Sequence, residues 1–481
     1  MPRFGLGNQL RLILKNVGLF TGASLFSRVL ALVLQGTLAR LFGAEGLGAY
    51  ATAVSIATYF TFLVDMGLSP RLVREGAVSP DELEEEFARA FGLKIVAGLA
   101  VLPLIATLYL TLPYDQEVRD LTVLVALGQV VMSFSYLFNS VCRAAERLDL
   151  EGAATLVHGL VFVGTSLTCL WMELPLISIG FASIAASIAQ ATLSASMAAR
   201  FIRLRLDWRP HFGTLRAALP YATTSLTILA FTQIDILILS IIASQKLVGE
   251  YTSVSRLLLI AGTMAAIAGS AVLPTASRIY ASQDRERFAE IVVGALGFVF
   301  LIGGAAATGL FVLADYLIQI VYGQDFASLS SLLQFGAIFM LLKFPVSASS
   351  ILLTSSGRQS DRARSVIIGL FATVVFVLGL VPLLGLWGAV LAMVLSELAT
   401  LICMLYHLRD HFRGAILARR FGTALFAVAT AMACHVALAN QSDTGAMHLF
   451  SIAAPLALFA AIVLGLGEVR RTLEFLGVIR A

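Results

Sequence analysis

The chain reads as an all-α polytopic membrane protein of about fourteen transmembrane helices, in two six-helix lobes followed by two further helices. Three observations predict this. Of 481 residues, 59% are hydrophobic and 13% charged, with a mean hydropathy of +0.90, whereas a soluble domain needs far more charge on its surface. Apolar runs of roughly 20 residues, the length that crosses a bilayer, recur from end to end of the chain. Lys and Arg alternate between loops rich and poor in them, as they do when every span is real.

Apolar runs bounded by charges and turn formers place helices at 17–40, 46–68, 88–112, 120–142, 152–172, 176–199, 217–243, 247–275, 288–313, 329–354, 364–382, 385–407, 419–439 and 447–466. The basic stretch Met1 to Asn16 leads straight into a span-length segment, so no cleaved signal is expected. One side of the membrane receives Arg3, Arg11 and Lys15, then Arg71, Arg74 and Arg89, then Arg143 and Arg147. It also receives the basic clusters at Arg200–Arg216, Arg278–Arg287, Arg358–Arg364, Arg409–Arg420 and Arg470–Arg480. The other side holds Arg40, Arg119 and Lys246, a ratio of about 26 to 3 that assigns both termini to the cytoplasm and makes the helix number even. Outer loops are short, the longest being Ala314 to Ser328. The basic, Trp-containing segment Phe201 to Arg216 reads as a linker lying along the inner surface.

The formal charge of +4 therefore signals orientation rather than nucleic-acid binding, and no nucleic-acid partner is expected. Cys142, Cys169, Cys403 and Cys434 show no CxxC pairing. His158 and His435 lie in spans as core residues. His407 and His411 have helical metal spacing but no HExxH context, so no metal site and no bound cofactor are expected. The acidic run Asp81 to Glu86 reads as a solvated helix start. No phosphate-cradling glycine loop, nucleophile elbow or catalytic carboxylate pair stands out, so the chain is not expected to be an enzyme.

Short matches recur in order at offsets near 201 to 204. Gly48-Ala-Tyr50 faces Gly249-Glu-Tyr251, Pro70 to Arg74 faces Pro274 to Arg278, and Ser79-Pro-Asp81 faces Ser282-Gln-Asp284. Further on, Ala144-Ala-Glu-Arg147 faces Ser355-Ser-Gly-Arg358. The expected domains are an N-lobe at 1–200, a linker at 201–216, a C-lobe at 217–408 and two added helices at 409–481. A duplicated bundle of like orientation places a cavity at its own seam.

Charge inside a bilayer is costly unless it faces water or a partner, so intramembrane ionisable groups are the first candidates for function. Arg28, Lys94, Arg256 and Lys343 fall within spans, Lys94 close enough to the inner end to snorkel. Polar residues at helical spacing mark inward faces: Thr21, Ser24, Arg28 and Gln35; Gln129, Ser133, Tyr136 and Ser140; Thr252, Arg256, Thr263 and Ser270; Lys343, Ser347, Ser350 and Thr354. Pro345 breaks the helix beside Lys343. Taken singly, the hydroxyls read as helix glue. Arg28, Arg256 and Lys343 together read as a convergent cationic site, and guanidinium and ammonium groups in a dry-walled cavity suit a diphosphate. The few membrane acids, Asp65, Asp235 and Glu397, are candidates for a coupling ion or for salt bridges. Asp235, with Gln233 and the Thr224 to Thr227 stripe, could hold a coupling Na+ or H+, or could pair with Arg256 or Arg28.

Leu38 to Tyr50 (LARLFGAEGLGAY) followed by Asp65 to Glu75 (DMGLSPRLVRE) resembles the N-terminal part of polysaccharide-biosynthesis flippases, O-antigen type, of the multidrug/oligosaccharidyl-lipid/polysaccharide exporter superfamily. Asp235 to Ser240 leading to Gly249-Glu-Tyr251 is similar to the corresponding second-half motif. The resemblance implies a V-shaped two-lobe bundle working by alternating access in the bacterial inner membrane. It also implies an undecaprenyl-diphosphate-linked repeat unit as cargo, and glycosyltransferases and a polymerase of the same pathway as partners. A lipid II flippase or a cation-coupled multidrug antiporter of the same superfamily is the alternative reading. A membrane polysaccharide polymerase or ligase would need a sizeable outer loop or an extramembrane acidic site.

Overall fold

The computed structural model describes residues 6–209, 211–270, 273–411, 414–439 and 445–465. Of the basic loop residues, Arg3, Arg413, Arg470, Arg471 and Arg480 lie outside the described residues, as do the side chains of Arg11, Lys15, Ser270, Pro274, Arg285 and His411.

The elements in chain order are α1 (Leu6–Asp65), α2 (Leu68–Val78), α3 (Leu83–Thr111), α4 (Gln116–Ala144), α5 (Leu148–Trp171), α6 (Ser178–Ala198), α7 (Phe212–Ile242) and α8 (Gln245–Ser270). They continue with α9 (Leu273–Ala281), α10 (Arg285–Tyr322), α11 (Ser330–Gly336), α12 (Ile338–Ser355), α13 (Gln359–Leu408), α14 (Gly414–Ala439) and α15 (Gly445–Gly465). No strand occurs among the described residues.

At 1.5 Å per residue, the 60 residues of α1 would extend about 90 Å if straight, far beyond one bilayer. The helix breaks at Gly43 (φ 67°, ψ −168°), and the 50-residue α13 breaks at Gly385 (φ 56°, ψ −129°). These backbone conformations strain an L side chain, and glycine adopts them freely. Ten stretches are long and apolar enough to cross a membrane, two of them these broken helices. With both broken helices counted twice, and α8 and α15 added, the described residues carry about fourteen bilayer-length segments. They follow the order expected from hydropathy.

Two local readings need correction. Ala314 to Tyr322 is not loop: α10 runs to Tyr322, because Ala314, Ile318 and Tyr322 at spacing four form a buried stripe. The chain turns only at Gly323, whose φ of 96° ends the helix. Glu86 is not solvated: it is buried and pairs with Arg71 at 2.6 Å and Arg89 at 3.0 Å. The linker docks on α3, with Arg205 Nε 3.0 Å from Glu84 and the Asp207 N–H reaching the Ala88 carbonyl. There the Arg209 backbone N–H and the His211 ring hold the Asp207 carboxyl below the usual carboxylate range.

The chain divides into two compact units, Met1–Gly249 and Glu250–Ala481. In the first, α4 packs on α6 and α1, and α5 on α1 and α6, around Leu38, Val64, Leu121, Ala126 and Ile179. The unit also takes in α7, which packs on α1 and α2. In the second, α10 packs on α12 and α14, α12 on α13, and α14 on α15. The His435 ring and the Ser451 carbonyl lie 2.8 Å apart across that last pair.

The sequence repeat has backbone counterparts. A short helix, α2 or α9, follows the second and the eighth bilayer-length segment. Glu146 (φ 58°) and Gly357 (φ 71°) hold the same place in the two matched motifs and turn the chain the same way. In each, the following arginine N–H returns to a carbonyl five residues back, Arg147 to Cys142 and Arg358 to Leu353. Gly48 and Gly249 approach each other within the first unit. A Cβ on Gly48 would strike the Gln245 carbonyl, and one on Gly249 the Ala44 carbonyl.

Candidate functional site

Within the first unit, α1, α2, α4 and α7 line an open cavity of about 720 Å³. The break at Gly43 brings both limbs of α1 to it: Arg28 from the first limb, Thr58, Thr61, Phe62 and Asp65 from the second. From α4 come Tyr136, Ser140 and Arg143, and from α7 Ser225, Ile228, Leu229 and Thr232. Both sets follow helical spacing, so each helix presents one face.

Behind Asp65 lies Lys94, which does not snorkel as its position near the end of its span suggests. It is wholly buried, with Nζ 2.7 Å from Asp65 Oδ1, 3.1 Å from Ser69 Oγ, and donating to the Ser133 carbonyl. Ser69 donates its hydroxyl to the same Asp65 oxygen. An ammonium this far from water must be paired and hydrogen-bonded, and all three of its donors are engaged. Arg143 forks onto Glu151, with Nε 2.5 Å from Oε2. Asp65 and Arg143 thus each have a partner of opposite charge. Arg28 is exposed to the cavity and has no ion-pair partner among the described residues, which leaves a net guanidinium charge.

The second unit holds the other two cations. Lys343 Nζ lies 3.2 Å from Glu397 Oε1, Glu397 being 3% exposed, and 5.6 Å from the centre of the Phe339 ring. A Cβ at Gly262 would sit 3.4 Å from Lys343 Cγ, so glycine there lets the lysine stem lie against α8. Arg256 is half-buried, and its Nε has no hydrogen-bond partner. The buried Tyr322 hydroxyl, also without a hydrogen-bond partner, lies within its electrostatic reach. Ser347 is half-buried one turn beyond Lys343.

Of the other sequence candidates, Gln129 accepts the Thr61 hydroxyl at 2.7 Å. Ser133 is fully buried and contributes its carbonyl to Lys94. Ser24, Gln35 and Asp235 are half-buried and do not line the cavity. The cavity role of Arg143 escaped the sequence reading, although it continues the Tyr136 and Ser140 stripe at spacing three and four. The Asp65–Lys94 pair left no such signal, because 29 residues separate its members.

The model of a family described as "Polysaccharide biosynthesis protein" matches residues 13–280, more than half of the chain. The chain belongs to that family. Among curated relatives, the "Putative O-antigen transporter" of Shigella dysenteriae is 24% identical over 196 residues, covering 40% of this chain. The match spans 48%, about half, of that relative's length. Among solved structures, the lipid II flippase MurJ in its inward closed conformation aligns over 94% of this chain and 99% of its own. The alignment has a TM-score of 0.74 at 16% identity. An inward-facing multidrug resistance MATE family transporter of the MOP superfamily covers 81% of this chain and 95% of its own, with a TM-score of 0.64 at 16% identity. This polysaccharide-biosynthesis chain therefore has the fold of those transporters.

Proposed function

We propose that this chain is a flippase that moves a polyprenyl-diphosphate-linked oligosaccharide from the cytoplasmic to the periplasmic leaflet of the bacterial inner membrane, by alternating access, for surface polysaccharide biosynthesis. The observation that carries this reading is the first-unit cavity, where an uncompensated guanidinium stands among threonine, serine and tyrosine hydroxyls. Guanidinium forks match phosphate oxygens, and hydroxyls match sugars. Family membership and the fold shared with a lipid II flippase support the same cargo class. Arg256, with an unpartnered Nε, is a second candidate phosphate ligand. Lys343 already pairs with Glu397 and has less charge to offer. Coupling to Na+ or H+, cytoplasmic termini and association with glycosyltransferases and a polymerase belong to this reading.

Arg28→Ala tests it. At matched expression, surface polysaccharide should fall about tenfold or more, the effect of losing one charge-assisted contact. Arg28→Lys should retain part of the activity, because it keeps the charge and loses the fork. Normal display by Arg28→Ala would remove Arg28 from the mechanism.

A further inference from the structure

We infer that Asp65 is a sugar-binding residue, offering one carboxylate oxygen to the cavity as a charged acceptor for the hydroxyls of a neutral sugar in the headgroup. The inference rests on the flippase reading and names the part of the cargo that this carboxylate grips.

The two oxygens of Asp65 have different surroundings. Oδ1 receives both the Lys94 ammonium and the Ser69 hydroxyl. Oδ2 receives no hydrogen bond from the described residues, and the side chain, 12% exposed, opens onto the cavity. The carboxylate is therefore held on its inner side and vacant on its outer side. Lys94 cannot swing out to compete, because its remaining donors are engaged by Ser69 and the Ser133 carbonyl.

A phosphate is the wrong ligand for this oxygen, since ionised carboxylate and phosphate oxygens are both acceptors and share no proton. A free metal cation is also disfavoured, because the tethered ammonium already supplies the counter-charge. A hydroxyl donor fits: O–H to carboxylate bonds are short and roughly twice as strong as neutral ones. The neighbours suit the same ligand. Thr58, Thr61, Ser140 and Tyr136 line the cavity with further hydroxyls and an aromatic face. Because Lys94 cancels the formal charge of Asp65, the sugar grip does not repel a diphosphate neutralised by Arg28. One cavity then sorts its cargo chemically, with guanidinium for phosphate and oriented carboxylate for sugar.

The test uses the full-length chain purified in detergent and two soluble probes. One is inorganic pyrophosphate. The other is a neutral repeat-unit oligosaccharide released from the surface polysaccharide of the producing cell. Asp65→Asn alone would leave the buried ammonium uncompensated, so it is combined with Lys94→Met. Calorimetry should show oligosaccharide affinity falling about tenfold or more in the double variant, the loss of a charged hydrogen bond, with pyrophosphate affinity unchanged. Ser69→Ala covers failure of the double variant to fold: it keeps the ion pair, removes the orienting hydroxyl, and should weaken oligosaccharide binding severalfold. Wild-type oligosaccharide affinity in these variants, or no oligosaccharide binding by the wild type at millimolar concentration, would overturn the inference. An altered pH dependence of export with unchanged sugar affinity would also overturn it, assigning the pair to proton coupling. Failure of the flippase reading is seen separately, as an absence of pyrophosphate binding by the wild-type chain.

Discussion

Lys94 and Arg28 carry the same formal charge and meet opposite surroundings. Lys94 has no exposed surface, and every proton on its nitrogen is donated to a fixed acceptor. Arg28 opens on the cavity and has no ion-pair partner among the described residues. The first arrangement is structural, because a buried charge stripped of its partner costs several kcal/mol, and the second leaves charge available to a ligand. Lys94→Met alone should therefore destabilise the protein by about 3–5 kcal/mol, since Asp65 is left uncompensated. Adding Asp65→Asn should recover most of that loss. Thermal unfolding in detergent checks both, and a single variant as stable as the double would show that the pair does not act as a unit.

At the scale of elements, glycine performs two different tasks here. Gly43 and Gly385 occupy backbone conformations unfavourable to other residues, and among the described residues no atom beyond their own stretch of helix lies within 4 Å of where a Cβ would stand. Gly43→Ala and Gly385→Ala should each cost about 1–3 kcal/mol, a purely backbone penalty, measurable as a lower unfolding temperature without loss of the fold. At Gly48 and Gly249 the constraint is proximity, because a methyl group would meet backbone carbonyls of the facing helix. Gly48→Ala should accordingly lower the unfolding temperature further than Gly43→Ala. Were the two equal, the crossing would be looser than its geometry indicates. The matched turns at Glu146 and Gly357 show a third case, in which one copy of the motif reaches positive φ with a glutamate and the other with a glycine.

For the whole molecule, the alternation of basic loops makes a topological prediction that the fold alone does not supply. Single cysteines placed beside Arg147 and Arg358 should react with a membrane-impermeant thiol reagent only from the cytoplasmic side, and those beside Arg119 and Lys246 only from the outside. Labelling from the opposite sides would invert the orientation and with it the proposed direction of transport.

The sequence by itself determined the class, the number and order of bilayer-length helices, and the repeat, because each is written in local periodicity and composition. A run of apolar residues needs no partner to declare itself a membrane helix, and a turn such as that at Glu146 or Gly357 is set by its own few residues. It also showed which residues carry charge in the membrane. What it could not decide was the state of those charges. Lys94 lies 29 positions from Asp65, and Lys343 54 positions from Glu397. Only packing brings such groups to hydrogen-bonding distance, and only that distance separates a neutralised lysine from an arginine still open to a ligand. Tertiary structure decided this because ion pairing depends on separation in space, to which chain order is blind.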